Sequence, residues 1–259
     1  MTSEKIAVAG ATGRLGKHVV DVLTERGHEV VAFSRKNGVD IETGAGLAEA
    51  LDGVRIVIDA SSTPSADKDI ATEFFTAAAR NLHEAGRAAG VERLVVVSII
   101  GIDNATAGYN AAKLAHERRL LEGPLPVRIL RAAQFHELVE VMTQWGTQGD
   151  VAYLPKMRTQ LVAARAVAEA LVDLALDPAP ESAGSGFPEI AGPQAETMAG
   201  AATLFAARVG APTEIIESSD PDNPDRAAFE DGTLLPGSHA VLAGPTYAEW
   251  LDANHPAAK

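Results

Sequence analysis

The sequence predicts an α/β fold, a doubly wound parallel sheet with a small C-terminal lobe. Short apolar segments alternate with amphipathic helical segments through the first half of the chain, which is typical of a parallel sheet with helices on both faces. A glycine-rich turn joins the first apolar segment to the first helical one, and the alternation weakens after residue 134. We therefore expect a sheet-forming core over residues 1–134. Residues 135–259 are expected to complete the sheet and form the lobe.

Apolar runs bounded by turn residues predict the strands of this sheet. The predicted strands are Ile6–Ala9, Glu29–Phe33, Gly38–Ile41, Val54–Ala60, Arg93–Ile99, Val127–Arg131, Phe187–Ala191 and Thr213–Glu217. The segment Arg93–Ile99 is apolar on both faces, as expected of a central parallel strand. Residues 177–186 are rich in Pro, Gly and Ser and are predicted to form a surface connection.

Apolar residues at helical spacing predict the helices. They are a first helix that ends near Arg26, then Ala45–Leu51, Lys68–Ala89, Tyr109–Leu121, Ala164–Leu176, Glu196–Val209 and Tyr247–Asp252. In Lys68–Ala89 the expected buried stripe consists of Ile70, Phe74, Ala78, Leu82 and Ala85. Gly90 is expected to end that helix, and Thr246 and Glu249 have the spacing of a capping box before the last one.

Composition limits the class of protein. The chain has 259 residues, of which 46% are hydrophobic, so it can bury a full core. A formal net charge of −13 argues against a nucleic-acid partner, because such binding depends on Lys and Arg displacing counterions. No apolar run is long enough to span a bilayer, and no signal peptide precedes the first strand. We therefore expect a cytoplasmic protein without a membrane partner.

Two classes of site are also disfavoured. The chain has no cysteine, which excludes disulfides, thiolate catalysis and cysteine–zinc sites. Asp220, Asp222 and Asp225 lie in a Pro-rich loop, but they lack the glycine and the terminal glutamate of a calcium loop. We interpret them as solvated carboxylates and expect no metal site.

The glycine-rich turn spans residues 10–16 and is the strongest functional signal. Gly10, Gly13 and Gly16 stand between a predicted strand and a predicted helix, where glycine lets the backbone turn tightly and approach a ligand. The N-terminus of that helix offers N–H groups and a partial positive charge to a phosphate. This context favours a dinucleotide site over the alternative of a simple tight turn.

Several motifs are together similar to those of one known group of proteins. They are the turn Gly10-Ala11-Thr12-Gly13-Arg14-Leu15-Gly16, Asp59-Ala60, residues 97–103, Tyr109–Ala115 and residues 130–135. With them the sequence resembles the short-chain dehydrogenase/reductase superfamily, in its atypical branch of NmrA-like NAD(P)-binding proteins. The likeness covers most of residues 1–176 and continues more weakly through residues 231–237 and 244–251. It implies a Rossmann fold, a nicotinamide cofactor and a C-terminal lobe that binds substrate.

The end of the second predicted strand bears on the choice of cofactor. Folds that prefer NAD usually place Asp or Glu there, whereas this chain reads Phe33-Ser34-Arg35-Lys36. Arg35 can bind a 2′-phosphate through two hydrogen bonds, and Lys36 adds positive charge. The resemblance implies that Arg14 approaches the same phosphate. We predict NADP(H) in preference to NAD(H), the alternative being that Arg35 and Lys36 are an ordinary solvated pair.

Further cofactor contacts are expected along the chain. The resemblance implies that Asp40 faces the adenine amino group, the alternative being a solvated carboxylate at a strand end. Ser61 and Ser62 either line the cofactor ribose or begin a loop. Gln134 and Phe135 are expected to close over the nicotinamide, the alternative being that Phe135 is a core residue. The full set of predicted cofactor residues is Gly10, Thr12, Gly13, Arg14, Leu15, Gly16, Ser34, Arg35, Lys36, Asp40, Ala60, Ser61, Ser62, Lys113, Gln134 and Phe135.

Tyr109 and Lys113 are four residues apart and share one face of a predicted helix. A lysine ammonium near a phenol favours the phenolate, and Lys113 can also hydrogen-bond the nicotinamide ribose. Ser98 ends a predicted strand where its hydroxyl can orient a carbonyl. The resemblance implies that Ser98, Tyr109 and Lys113 are catalytic. The alternative is a structural Tyr-x-x-x-Lys spacing, which arises often by chance.

These residues lead to a hypothesis of an NADPH-dependent reductase that acts on a small carbonyl, quinone or imine-like substrate. The alternative is a non-catalytic NADP(H)-binding sensor that regulates a partner, and some relatives reduce quinones without a catalytic tyrosine. Among seven histidines only His136 is predicted to reach the pocket, as a substrate contact beside Tyr109, the alternative being a packed histidine. Tyr247 and Trp250 are expected to pack the C-terminal tail, the alternative being a homo-oligomer interface.

Overall fold

The computed structural model describes residues 3–178 and 186–256. Its strands are β1 Lys5–Ala9, β2 Glu29–Phe33, β3 Ile56–Asp59, β4 Arg93–Ile99, β5 Val127–Ala132, β6 Thr147–Gln148, β7 Val151–Pro155, β8 Arg158–Thr159, β9 Glu189–Ala191, β10 Glu196–Thr197, β11 Glu214–Ser218 and β12 Val241–Leu242. Its helices are α1 Gly16–Glu25, α2 Leu47–Ala50, α3 Lys68–Ala89, α4 Gly108–Leu121, α5 His136–Gly146, α6 Ala164–Leu176, α7 Met198–Val209, α8 Arg226–Glu230 and α9 Tyr247–Asn254. In the described residues, no helix is both long and apolar enough for a membrane span.

The central sheet has the strand order β12-β9-β5-β4-β3-β1-β2. Strand β1 pairs in parallel with both β2 and β3, and β3 pairs in parallel with β4. The chain therefore reverses its direction of winding at β1, which is the arrangement of a doubly wound sheet. The predicted α/β fold class is confirmed, and the register places Ala9 between Phe33 and Asp59. The turn after β1 thus begins beside the carboxyl ends of β2 and β3.

The chain divides into two compact units that are discontinuous in sequence. The first contains Met1–Arg131 and Val167–Pro188, and the second contains Ala132–Ala166 and Glu189–Lys259. The expected single boundary at residue 134 lies near the first division, but most of α6 groups with the first unit. The reason is that Arg128 on β5 donates to the Leu174 carbonyl at 2.7 Å and to the Asp177 carbonyl at 2.8 Å. These bonds hold the end of α6 to the strand.

Each unit has its own apolar core. In the first, Phe33, Phe75, Leu82 and Leu94 are fully buried members of a large cluster under the sheet strands. In the second, a smaller cluster lies among α5, β7, α7 and α9. Its members include Val139, Leu154, Met198, Phe205, Tyr247 and Leu251. The packing of Tyr247 into this cluster confirms the prediction that it anchors the C-terminal helix. The capping box of Thr246 and Glu249 is likewise present.

Three local predictions are wrong. No strand forms at Gly38–Ile41, because that segment folds into a turn in which the Asp40 N–H donates to the Ala45 carbonyl at 2.9 Å. Ile70 is 59% exposed, since the buried stripe of α3 centres on Ala71, Phe75 and Ala78 and leaves Ile70 at its edge. Residues 196–197 form β10 rather than the first turn of a helix, because they pair with β8. Of the predicted connection at 177–186, residues 179–185 lie outside the described residues.

Candidate functional site

The glycine turn between β1 and α1 is packed so closely that two of its positions exclude any side chain. Gly10 has a φ of +69°, and a Cβ there would lie 2.8 Å from the Ser61 Cα. A Cβ on Gly16 would lie 2.1 Å from the Gly10 carbonyl oxygen, so the first turn of α1 packs directly on the backbone of the loop. Gly13 is exposed, and its N–H donates to the Gly10 carbonyl at 2.8 Å.

The N-terminus of α1 is accessible for an anion. Thr12, Gly13 and Arg14 are exposed, while Leu15 is buried against the core. In this described segment no side chain caps the helix, and its first turn contains no acidic residue. The partial positive charge of the helix N-terminus and the glycine backbone therefore suit a phosphate group. These features fit the pyrophosphate of a dinucleotide, with room at Gly13 for close approach.

Two basic residues follow the end of β2 in a short 3₁₀ turn, Arg35–Asn37. The Asn37 side chain holds this turn, since it accepts from the Ser34 N–H at 2.7 Å and donates to the Ala32 carbonyl at 2.8 Å. Arg35 and Lys36 are exposed, and within the described residues neither side chain forms an ion pair. The Ala11 N–H donates to the Phe33 carbonyl at 3.2 Å, so the glycine turn is tied to the same strand end.

Asp40 lies in the turn that replaces the predicted third strand. Its carboxylate accepts from the Glu42 N–H at 2.9 Å, and Asn81 donates to the Ile41 carbonyl at 2.9 Å to hold the loop. The carboxylate of Asp40 is therefore engaged within its own loop. A contact with adenine stays a prediction.

The carboxyl end of β3 lies against the glycine turn and carries several polar side chains. The Ala60 N–H donates to the Ala9 carbonyl at 3.1 Å, and the Asp59 carboxylate accepts from the Ser61 N–H at 2.9 Å. The Ser61 hydroxyl is buried and, within the described residues, has no hydrogen-bond partner. The Ser62 hydroxyl is 2.8 Å from the Tyr109 hydroxyl, so the structure brings these two predicted site residues together.

Lys113 lies one turn after Tyr109 on α4 and is almost completely buried, with 3% of its surface exposed. Its Nζ is 3.0 Å from His116 Nδ1 and 4.6 Å from the centre of the Phe75 ring. Burial lowers the pKa of Lys113 to about 8, against the opposing effect of the Asp59 and Glu117 carboxylates. The ammonium group therefore faces the interior at the end of β3.

Tyr109 differs from the expectation that Lys113 would favour its phenolate. Burial raises the pKa of Tyr109, the hydrogen bond with Ser62 lowers it, and the negative charge of Asp59 raises it again. The net effect is a rise, because burial is the largest of these three effects. The phenol is therefore held in its protonated form at neutral pH.

Ser98 lies on β4 and is 3% exposed. Within the described residues its hydroxyl has no hydrogen-bond partner, so it is bonded to neither Tyr109 nor Lys113. Its strand is adjacent to β3, which carries Asp59 at its end. The sheet thus places Ser98 on the neighbouring strand, and its orienting role stays a prediction.

Two buried residues beside Lys113 had no place in the sequence-based site. His116 is 1% exposed and Asp59 is 2% exposed, and His116 Nε2 lies 3.6 Å from Asp59 Oδ2. The sequence analysis selected His136 alone among the histidines as a pocket residue, and that role stays a prediction, whereas His116 follows Lys113 by three residues and shares its helix face. The three-residue spacing of Lys113 and His116 on a predicted helix could have indicated from the sequence that the two side chains lie together.

Arg131 on β5 holds α4 through Glu117, four residues after Lys113. Its guanidinium donates to both oxygens of Glu117, at 3.0 and 2.8 Å, and to both oxygens of Asp103, at 2.8 and 2.9 Å. Hydrogen bonds between charged partners of this geometry are stronger than neutral ones. They tie the segment after β4 to the helix that carries Tyr109 and Lys113.

The remaining predicted site residues belong to the second unit. The Gln134 side chain accepts from the Thr159 hydroxyl at 2.6 Å, and Phe135 pairs with Val162 in an isolated bridge. His136 is completely buried, and its Nε2 is 3.1 Å from the Leu161 carbonyl. These contacts favour the packed-histidine alternative, and roles in cofactor or substrate binding stay predictions.

His136 is surrounded by aromatic rings. Its ring centre is 5.4 Å from that of Tyr247 and 5.5 Å from that of Trp250. Burial lowers the pKa of His136 to about 4 and raises the pKa of Glu196 to about 7. In the part of the chain that the structure describes, no group of acidic or histidine side chains is arranged to hold a metal ion.

Comparisons with known proteins agree with this geometry. A family model described as NAD(P)H-binding matches residues 10–178. A search of the curated proteins finds no match.

Solved structures share the fold at low sequence identity. The dTDP-4-dehydrorhamnose reductase from Bacillus anthracis in complex with NADP has a TM-score of 0.72 at 16% identity, covering 97% of this chain and 98% of that one. A GDP-6-OMe-4-keto-L-xylo-heptose reductase from C. jejuni has a TM-score of 0.71 at 14% identity, covering 98% and 99%. MoeE5 in complex with UDP-glucose and NAD has a TM-score of 0.68 at 20% identity, covering 96% and 99%.

Proposed function

Because this chain belongs to the NAD(P)H-binding family, matched over residues 10–178, we propose that it is an oxidoreductase that uses NADPH to reduce a small carbonyl, quinone or imine-like substrate. The observation that carries the proposal is the carboxyl end of β3. There the backbone of the glycine turn, the Ser62–Tyr109 hydrogen bond and the buried Asp59 adjoin one another within the first unit. In open α/β sheets this is the edge at which ligands bind.

The preference for NADPH is supported by the charges after β2. Arg35 and Lys36 are exposed, and within the described residues they form no ion pair, so both are available to a 2′-phosphate. The strand ends without a carboxylate that would repel that phosphate or accept from a ribose hydroxyl. Arg14 in the glycine turn is exposed as well and adds positive charge.

The cofactor residues would contact two different parts of NADPH. The backbone of residues 10–16 would hold the pyrophosphate, and Lys113 would face the nicotinamide ribose. Bound NADPH supplies the hydride. Tyr109 is suited to give a proton to the substrate oxygen or nitrogen, because its phenol, whose pKa burial raises, carries that proton at neutral pH. Ser62, bonded to the phenol oxygen at 2.8 Å, would orient it.

A non-catalytic NADP(H) sensor is the second candidate. The observation that favours it is the closed environment of Lys113, which is 3% exposed and already hydrogen-bonded to His116. In this case the protein would bind cofactor tightly and turn over none.

Cofactor binding and turnover separate these candidates. Dissociation constants for NADPH and NADH are measured by fluorescence, and NADPH absorbance is followed across a panel of ketones, quinones and cyclic imines. We expect tighter binding of NADPH than of NADH, and NADPH consumption with at least one substrate. The Tyr109→Phe variant is expected to lose about 100-fold or more of that rate while it keeps its NADPH affinity.

Each other outcome has a definite meaning. Tight NADPH binding with no consumption by any substrate supports the sensor. A quinone reduced equally by the wild type and Tyr109→Phe supports direct hydride transfer without a tyrosine. Absence of binding to either nucleotide contradicts the proposal as a whole.

A further inference from the structure

We propose that His116 is a positioning residue that holds the Lys113 ammonium at the end of β3, and that Asp59 fixes the tautomer of the His116 ring. This inference rests on the proposed function, in which Lys113 contacts the cofactor. The three side chains come from two elements, β3 and α4, and each is at most 3% exposed. Water therefore does not compete with the contacts among them.

The position of the His116 ring is set by Lys113 and Phe75. Lys113 Nζ lies 3.0 Å from His116 Nδ1, which is a hydrogen-bonding distance. The ring stacks on Phe75 with centres 4.8 Å apart and planes 27° apart, while the same Phe75 ring receives the lysine ammonium at 4.6 Å. Rotation of the imidazole would break both the stacking and the hydrogen bond.

The tautomer follows from the donor and acceptor capacity of the neighbours. An ammonium group has donors only, so Nδ1 must accept and the ring proton of neutral His116 lies on Nε2. Nε2 faces Asp59 Oδ2 at 3.6 Å, and within the described residues neither atom has a hydrogen-bond partner. The distance exceeds a hydrogen bond, so the N–H and the carboxylate attract each other electrostatically. The opposite tautomer would set a lone pair against Asp59 and a proton against Lys113.

The charged groups around His116 agree with a neutral ring. Asp59 faces it from β3, Lys113 lies beside it on α4, and Glu117, also on α4, is paired with Arg131 of β5. Burial and then the charge of Lys113 hold the pKa of His116 well below its ordinary value. The positive charge of Lys113 is thus balanced by Asp59 through an uncharged ring.

The first experiment observes the ring itself and needs no cofactor. The protein is labelled with ¹⁵N-histidine, and its two-bond ¹H–¹⁵N spectra are recorded from pH 5.5 to 8. The His116→Asn variant assigns the signal. We expect a neutral ring with its proton on Nε2 across this range. A ring protonated at pH 6, or a proton on Nδ1, overturns the inference.

The second experiment measures NADPH affinity against pH in three variants. His116→Phe keeps the stacking on Phe75 but removes the acceptor of Lys113, whereas His116→Asn places an amide oxygen near the position of Nδ1. We expect NADPH binding to weaken about tenfold at pH 7 in His116→Phe and to stay within about threefold of wild type in His116→Asn. His83→Phe removes another buried histidine of the same unit, one bonded to the Leu120 carbonyl, and is the matched control.

The pH dependence separates positioning from general destabilisation. In the wild type, NADPH affinity is expected to fall above the pKa of Lys113, near 8. In His116→Phe this fall is expected at lower pH, because the ammonium has lost its acceptor, while in His83→Phe it stays where it is. An unchanged pH profile in His116→Phe overturns the inference even if NADPH binds. If neither the wild type nor any variant binds NADPH, the proposed function fails. The ¹H–¹⁵N spectra of His116 still decide the tautomer in that case.

Discussion

Single residues on one helix face experience different surroundings in this fold. Tyr109 and Lys113 are one turn apart, yet the phenol hydrogen-bonds Ser62 while the ammonium hydrogen-bonds His116. Burial then acts in opposite directions, because it disfavours the charged form of each group. It raises the pKa of the tyrosine and lowers that of the lysine to about 8. Tyr109 is therefore a proton donor at neutral pH, whereas Lys113 loses its positive charge just above neutral pH.

Arg35 provides a test of cofactor choice at this scale. Replacing Arg35 by Ala removes a guanidinium that is exposed after β2 and, in the proposed function, binds the 2′-phosphate. We expect NADPH affinity to fall by about tenfold to 100-fold, the range of a charge-assisted hydrogen bond, with NADH affinity unchanged. Fluorescence titration of both nucleotides measures this difference.

The matched control for Arg35 is another exposed arginine of the same unit. Arg119 pairs with Glu122 at 3.6 Å on the surface of α4, so Arg119→Ala removes the same charge elsewhere. It is expected to leave both affinities unchanged. An equal loss in the two variants would mean that net charge, and not a contact at β2, favours NADPH.

At the level of elements, the junction of β1 and α1 depends on backbone packing. Gly16 lets the helix rest on the Gly10 carbonyl, and Gly10 adopts a left-handed conformation beside Ser61. Gly13 lies between them and is exposed, and a Cβ there would meet only the Gly10 oxygen, at 3.1 Å. One turn therefore contains a glycine needed for packing and a glycine that leaves space for a ligand.

Two alanine variants distinguish these roles. Gly16→Ala places a methyl 2.1 Å from a backbone oxygen, so α1 must shift, and we expect the free energy of unfolding to fall by about 2–3 kcal/mol. Gly13→Ala is expected to cost less than about 1 kcal/mol and yet to weaken NADPH binding at least tenfold. Urea unfolding and nucleotide titration of both proteins measure the two effects. Equal stability of the two variants would contradict the packing argument.

For the molecule as a whole, buried histidines link stability to pH. Burial lowers the pKa of His83, His116 and His136, the last to about 4. The unfolded chain binds protons near pH 6.5, whereas the folded protein does not, so stability is full above that pH and is lost as the pH falls. Glu196 opposes this between pH 4.5 and about 7, because its folded-state pKa is raised and its protonation favours the folded state.

His136 accounts for a measurable part of this acid sensitivity. A shift from 6.5 to about 4 corresponds to a loss of about 2 kcal/mol in the free energy of unfolding between pH 8 and pH 5. His136→Gln, which keeps a donor for the Leu161 carbonyl, is expected to make the pH dependence shallower by about that amount. Glu196→Gln is expected to make it steeper. Chemical denaturation at a series of pH values measures both slopes, and parallel curves for wild type and His136→Gln would contradict the assignment.

The spacing of apolar residues was sufficient to predict those helices and strands in which one pattern continues along the whole segment. The bounds of β4, α3 and α6 agree with their predicted residues, since apolar spacing and a terminal glycine such as Gly90 act within a few residues of chain. It failed at Gly38–Ile41 and at Glu196, where a turn and a two-residue strand depend on hydrogen bonds to residues outside the segment.

Local signals in the chain were enough to locate the glycine turn, the basic residues after β2 and the helix with Tyr109 and Lys113, because each is a short motif whose chemistry depends on neighbouring positions. The environment of Lys113 needed the folded protein, because Asp59 and Phe75 precede it by 54 and 38 positions and meet it only when β3, α3 and α4 pack together. The protonation state of a side chain depends on burial and on charges close in space. Both are properties of packing, which short stretches of sequence do not encode.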